Sequence, residues 1–170
     1  MEGMTGRLVM VVATLVVACG SNPPAPAEKP HTVRPSIARR EVPPDLSPLV
    51  PSHGVLATGG GMKSPAFRIV VDTDAKTIYA GTAPPNTPIG GKMTEQKTRE
   101  LTQPNEEHLL KLCADAWGEA AAGAEEPVEG YDEFLVIADG EELFMVQGHG
   151  PIRRPKAANI IETLRAAAAM

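Results

Sequence analysis

His149 stands in Gly148-His-Gly-Pro151, with Arg153 and Arg154 close behind. Glycines on either side expose an imidazole, and two guanidinium groups beside it suit an anion. His149, Arg153 and Arg154 are therefore the candidate anion-binding group, and the one place where a small enzyme or enzyme inhibitor could keep its site. The same residues also read as a strand exit followed by surface charge. The chain holds no G-x-S-x-G, no histidine pair at metal spacing and no carboxylate pair whose spacing fixes acid and base roles. No catalytic residue, metal ligand or cofactor is expected.

Other segments imitate sites without completing them. Asp72-Thr-Asp74 opens like a calcium loop, but Ala75-Lys76 occupies the ground where more oxygens and a glycine are needed. It reads as a solvated hairpin turn. Gly59-Gly-Gly-Met-Lys-Ser64 and Gly90-Gly-Lys-Met-Thr94 lack the G-x-x-x-x-G-K-[ST] order of a phosphate loop and read as flexible loops. Glu125, Glu126, Glu129, Asp132 and Glu133 read as a solvated acidic loop. His31 and His53 stand alone and carry no assigned role. Cys113 lies among leucines on the inward face of a helix, where a free thiol behaves as a small apolar residue.

Cys19 is different because of what precedes it. Leu8 to Ala18 is an apolar run, interrupted only by Thr14, after Arg7. It is too short to span a bilayer, which takes about 20 residues as a helix, and matches the about 7–15 of a secretory h-region. Met4 is an alternative start to Met1 that would remove Glu2 and sharpen the positive head. Val16-Val17-Ala18-Cys19 resembles the lipobox of bacterial lipoproteins. The resemblance covers roughly the first 24 residues. It implies that the Cys19 thiol accepts a diacylglyceryl group, that cleavage falls between Ala18 and Cys19, and that Cys19 becomes the first residue of the mature chain. An ordinary secretory signal and a buried helix with an incidental cysteine are the competing readings. Val16 is large where an A-x-A-like site wants a small residue, and a proline-rich tail follows instead of a second packed element.

The resemblance also implies an address. Two or three acyl chains on one residue give stable attachment where a single chain holds marginally. The mature chain would be membrane-anchored through lipid and face away from the cytoplasm. Gly20, in place of an aspartate after the lipidated cysteine, implies the outer membrane if the source has one.

Nine of the chain's seventeen prolines fall between Ser21 and Ser52. Such a stretch favours extended polyproline-II and has no apolar period. The expected organisation is a cleaved signal over 1–18, a lipidated cysteine and disordered tether over 19–53, and one globular domain over 54–170. Arg34, Arg39 and Arg40 read as solvating charges, with anionic headgroups or cell-wall polymers as the alternative partners. Net charge is −5, and no basic face with interleaved aromatics offers itself to phosphates, so nucleic acid is not an expected partner.

The domain's elements follow from period. Ala66–Asp72 alternates, with Phe67, Ile69 and Val71 on one face, and Thr77–Ala80 returns after a polar turn. Part of Lys92–Leu101 reads as a short exposed strand whose Lys and Arg discourage further pairing. A helix starts near Thr102-Gln-Pro104 and repeats Leu109, Leu112, Cys113, Ala116 and Ala120, with Leu110 and Trp117 widening the stripe and Gly123 as its stop. Asp132–Ala138 and Glu142–Gln147 flank the turn pair Asp139-Gly140, and two apolar faces place them centrally in a sheet. A last helix from Pro155 shows Ala157, Ile160, Ile161, Leu164 and Ala168. The order β-β-(β)-α-β-β-α predicts an α+β fold: an antiparallel sheet of four to five strands with two helices mainly on one face.

The expected role is an envelope lipoprotein whose domain is a non-catalytic binding or interaction module, with an envelope protein or the cell wall as partner. The alternative is a small periplasmic enzyme or enzyme inhibitor built around His149, Arg153 and Arg154.

Overall fold

The structure, a computed structural model, describes residues 34–120 and 127–168. Ala18, Cys19 and the rest of the expected signal and anchor lie outside the described residues. Six strands form one antiparallel sheet: β1 (His53–Gly61), β2 (Pro65–Asp72), β3 (Thr77–Pro85), β4 (Glu95–Glu100), β5 (Tyr131–Asp139) and β6 (Glu142–Gly148). Their order across the sheet is β4-β3-β2-β1-β5-β6. Helix α1 (Gln103–Ala116) follows β4 and helix α2 (Pro155–Ala168) follows β6.

The α+β class, the antiparallel sheet and the two helices are as the sequence predicts. The strand count is six, where the sequence predicts four to five; the additional strand is β1. Its segment HGVLATGGG ends in three glycines, which are depleted in strands. They are there for clearance. A Cβ on Gly60 would lie 2.8 Å from Ala66 Cα, and one on Gly61 would lie 2.1 Å from the Gly130 carbonyl oxygen. The expected flexible loop at Gly59–Gly61 is the end of a strand between two close neighbours.

Alternation divides the apolar residues between two faces. Phe67, Ile69 and Val71 of β2 join Val55, Ala57, Leu135, Ile137 and Val146 under both helices. Helix α1 contributes Leu109, Cys113 and Ala116, and α2 contributes the predicted stripe of Ala157, Ile160, Ile161, Leu164 and Ala168. Burying each large aliphatic side chain contributes about 1.5–3 kcal/mol. Helix α1 ends at Ala116 rather than near Gly123, which lies outside the described residues. Trp117 leaves the helix to stack on Phe144, and Gly118 takes a left-handed φ of 79°.

The other face corrects the expected domain boundary. Leu56, Phe134, Val136, Ala138 and Leu143 are covered by Val42, Leu46 and Val50. Those three residues come from the proline-rich segment, which the sequence assigned to a disordered tether ending at residue 53. From Arg34 to Ser52 it is instead a strap, with short 3-10 turns at Arg39–Glu41 and Ser47–Leu49. Ile37 N–H donates to the Leu143 carbonyl at 2.8 Å. Arg39 donates to the carbonyls of Val50 and Pro51, both at 3.1 Å. Prolines suit this role, because a strap over a sheet face needs few backbone donors.

The strap also explains why β5 and β6 are apolar on both sides. Helices bury one face and the strap the other. Strand β5 is interior as expected, but β6 is an edge strand. Two-sided apolarity reports two covered faces, not a central position.

Candidate functional site

Antiparallel pairing brings distant charged residues to one end of the sheet. Gly54 pairs with Asp72 across β1 and β2, and His53 pairs with Asp139 across β1 and β5. The turns Thr73–Lys76 and Asp139–Gly140 therefore flank the start of β1. Gly54 makes the approach possible: its φ is +138°, and a Cβ there would lie 1.9 Å from the Val71 carbonyl oxygen. Helix α1 crosses above this end and closes a cleft of about 410 Å³. That size falls within the range of small-molecule pockets, about 300–1,000 Å³.

The cleft has an apolar floor and a charged mouth. Val55, Ile137, Leu109 and Cys113 line the floor, the Trp117 ring reaches Arg34 at the mouth, and Leu110 stands half-exposed beside them. Three ion pairs stand at the mouth. His53 Nδ1 lies 2.8 Å from Asp74 Oδ2, Lys76 Nζ lies 2.5 Å from Glu106 Oε1, and Arg34 lies 3.9 Å from Asp139 Oδ2. The hydrogen bond to Asp74, then its charge, raises the His53 pKa above the ordinary 6.5, with Asp139 and Asp72 adding to the effect. Lys76 holds a positive φ of 53°, a conformation that a non-glycine residue keeps only where its surroundings demand it.

Trp117 ties the cleft to the strap. Its indole N–H donates to the Pro35 carbonyl at 3.1 Å, and the Arg34 guanidinium lies 5.6 Å from its ring centroid. The ring stacks on Phe144 at 6.0 Å between centroids.

Cys113 lies in the floor, where burial pushes its thiol up to about 12. A thiolate is the nucleophilic form, so this group is protonated at neutral pH. The arrangement can hold an apolar body beneath a polar rim. Among the described residues, no group of three or more His, Cys, Asp or Glu is placed to hold a metal ion. No helix among them is long and apolar enough to cross a membrane.

The chain matches no protein-family model and no curated protein.

The predicted anion group lies elsewhere. His149 Nδ1 lies 2.9 Å from Asp132 Oδ1, in an exposed pair. Arg154 donates to the Glu119 carbonyl at 3.0 Å. The Glu119 carboxylate accepts from the N–H groups of Lys156 and Ala157, both at 3.1 Å, which satisfies first-turn donors of α2. Arg153 lies beside Arg154 in the same connection and is exposed.

Other imitations of sites resolve into structure. Asp72 Oδ1 accepts from Ala75 N–H at 2.8 Å and fastens the hairpin turn. The Gly90-Gly91 loop turns carbonyls inward: Ile89 and Gly91 accept from the buried Arg68 guanidinium. Burial pushes the Arg68 pKa down, and its Nε has no hydrogen-bond partner. Glu133, assigned to a solvated acidic loop, is buried. It accepts from Ile152 N–H at 2.6 Å and from Arg165 at 3.3 Å.

The sequence does not group His53, Asp74, Asp139, Arg34 and Trp117, which line one cleft. Only the register of β1 brings the first three together, and β1 was hidden by its glycines. The positions of Pro51 and Gly54 around His53 are the signal that could have marked a strand start.

Proposed function

We propose that this chain is a bacterial envelope lipoprotein, anchored through Cys19, whose domain binds the apolar part of a small molecule in the cleft beneath α1. The observation that carries the binding role is the cleft itself. An apolar floor ringed by paired charges favours an apolar body and leaves the polar end of a ligand at the rim. The apolar run Leu8–Ala18 and the Val16-Val17-Ala18-Cys19 pattern support the anchor. The strap removes Arg34–Ser52 from the expected tether, because Val42, Leu46 and Val50 pack on the sheet. The proposed address of the anchor is the outer membrane if the source has one.

Two measurements test the two halves. Wild-type protein should enter the detergent phase on phase partition and Cys19→Ser the aqueous phase; wild-type protein that stays aqueous rejects the anchor. Trp117 is the chain's only tryptophan and lines the cleft. Its emission should shift on titration with octyl glucoside, a neutral probe with an apolar chain. Ala114→Leu, on the exposed face of α1 at the cleft, should fill the space and abolish the shift. An emission unmoved by the probe rejects the binding role.

A further inference from the structure

We propose that the mouth of the cleft is a cation subsite, formed by the Trp117 ring and the Asp139 carboxylate. Arg34 fills it in the free protein, and the ammonium group of an amphipathic ligand takes its place. The inference rests on the cleft being the binding site and adds the chemical class of the ligand.

The subsite is visible because it is occupied. The Arg34 guanidinium lies 5.6 Å from the Trp117 ring centroid and 3.9 Å from Asp139. An aromatic face and a carboxylate around one positive charge is the chemistry by which proteins bind alkylammonium groups. Neither contact holds Arg34 firmly. The distance to Asp139 exceeds that of a charge-assisted hydrogen bond, and both side chains are more than half exposed, at 51% and 61%. Exposed pairs of this kind contribute little.

Charge at the mouth favours the replacement. Lys76 is committed to Glu106, and His53 to Asp74. Asp139 has Arg34 as its ion-pair partner. Displacing Arg34 leaves the Asp139 carboxylate, whose charge also acts on His53, without its ion-pair partner at the end of an apolar floor, where a ligand's cation meets it. Arg34 also begins the strap, one residue before the Pro35 carbonyl that accepts from Trp117.

The test uses the full-length chain and three probes of equal chain length below their micellar concentrations: octyltrimethylammonium, octyl glucoside and octyl sulfate. Binding is read from Trp117 emission and by calorimetry. Octyltrimethylammonium should bind about fivefold tighter than octyl glucoside, and octyl sulfate weakest. Arg34→Ala removes the resident cation, so it should tighten octyltrimethylammonium severalfold and leave octyl glucoside unchanged. Asp139→Asn keeps a favoured Asn-Gly turn and should erase the preference for the cation. The proposal is overturned if octyltrimethylammonium binds no tighter than octyl glucoside, or if Arg34→Ala fails to tighten it, while octyl glucoside still binds. If no probe binds at all, the cleft-binding reading falls first and takes this one with it.

Discussion

Ile37 and Leu143 are joined by an antiparallel bridge, with the Ile37 N–H donating to the Leu143 carbonyl at 2.8 Å. The bridge fastens the strap to the edge strand β6 and starts the run that carries Val42, Leu46 and Val50 over the second sheet face. The strap is thus part of the fold. A chain truncated to begin at His53 should expose Leu56, Val136 and Leu143 and fail to give a cooperative, soluble fold. One that begins at Val33 should fold. Leu46→Ala in the full chain should cost about 2–4 kcal/mol, as for other large-to-small core changes. Urea unfolding checks the variant, and a stable soluble protein starting at His53 would show the strap to be dispensable.

Glu133 is a buried carboxylate with three jobs. It accepts from Ile152 N–H, from Arg165 and from the Tyr131 hydroxyl. Arg165 in turn lies over the Phe67 ring at 4.1 Å. Glu133→Ala leaves the Ile152 N–H without its acceptor and should cost about 2–4 kcal/mol. Glu133→Gln keeps an acceptor in place and should cost about half as much. Thermal and urea unfolding measure both. Equal costs for the two variants would show that the Ile152 bond does not matter.

The architecture was legible where period and turn chemistry agree. Phe67, Ile69 and Val71 alternate onto the helix-covered face, Asp139-Gly140 makes its hairpin, and the Ala157–Ala168 stripe is buried as spaced. Two things were not legible. Glycines required by close backbone approach imitate a loop, so β1 was lost. Proline-rich text does not distinguish an extended tether from an extended strap, because both lack internal hydrogen bonds; only Leu46, Val42 and Val50, spaced at about four residues, hint at a buried side. The site depended on both. His53 reaches Asp74 through the β1–β2 register, and Arg34 reaches Asp139 through the strap. Neither relation has a local signature.

His53 gives a pH handle on the cleft mouth. Asp74 raises its pKa through a hydrogen bond and charge, with smaller help from Asp139 and Asp72. A folded pKa above the unfolded 6.5 means the contribution is fully present below 6.5 and is lost as pH rises through the folded value. The pair is exposed, so its effect on unfolding should be small and its titration the better measurement. NMR should find His53 titrating above 6.5 and Asp74→Asn should bring it back toward 6.5. No change in Asp74→Asn would detach the carboxylate from the imidazole.

Cys113 should be silent in the folded protein and reactive in the unfolded one. It lies with Leu109 and Ala116 on the buried face of α1, and burial raises its thiol from 9.0 to about 12. The folded pKa lies above the unfolded one, so the neutral thiol's contribution is complete below pH 9 and is lost between pH 9 and 12. In a Cys19→Ser background, iodoacetamide at pH 8 should leave Cys113 unmodified without denaturant. Labelling should appear with the unfolding transition in urea. The unfolding free energy should also fall more steeply above pH 9 with Cys113 present than in Cys113→Ala. Tyr131, likewise raised by burial and by Glu133, is common to both proteins and cancels in that comparison. Rapid labelling of the native protein at pH 8 would mean that the cleft floor opens to solvent and that the thiol is available to a ligand bound there.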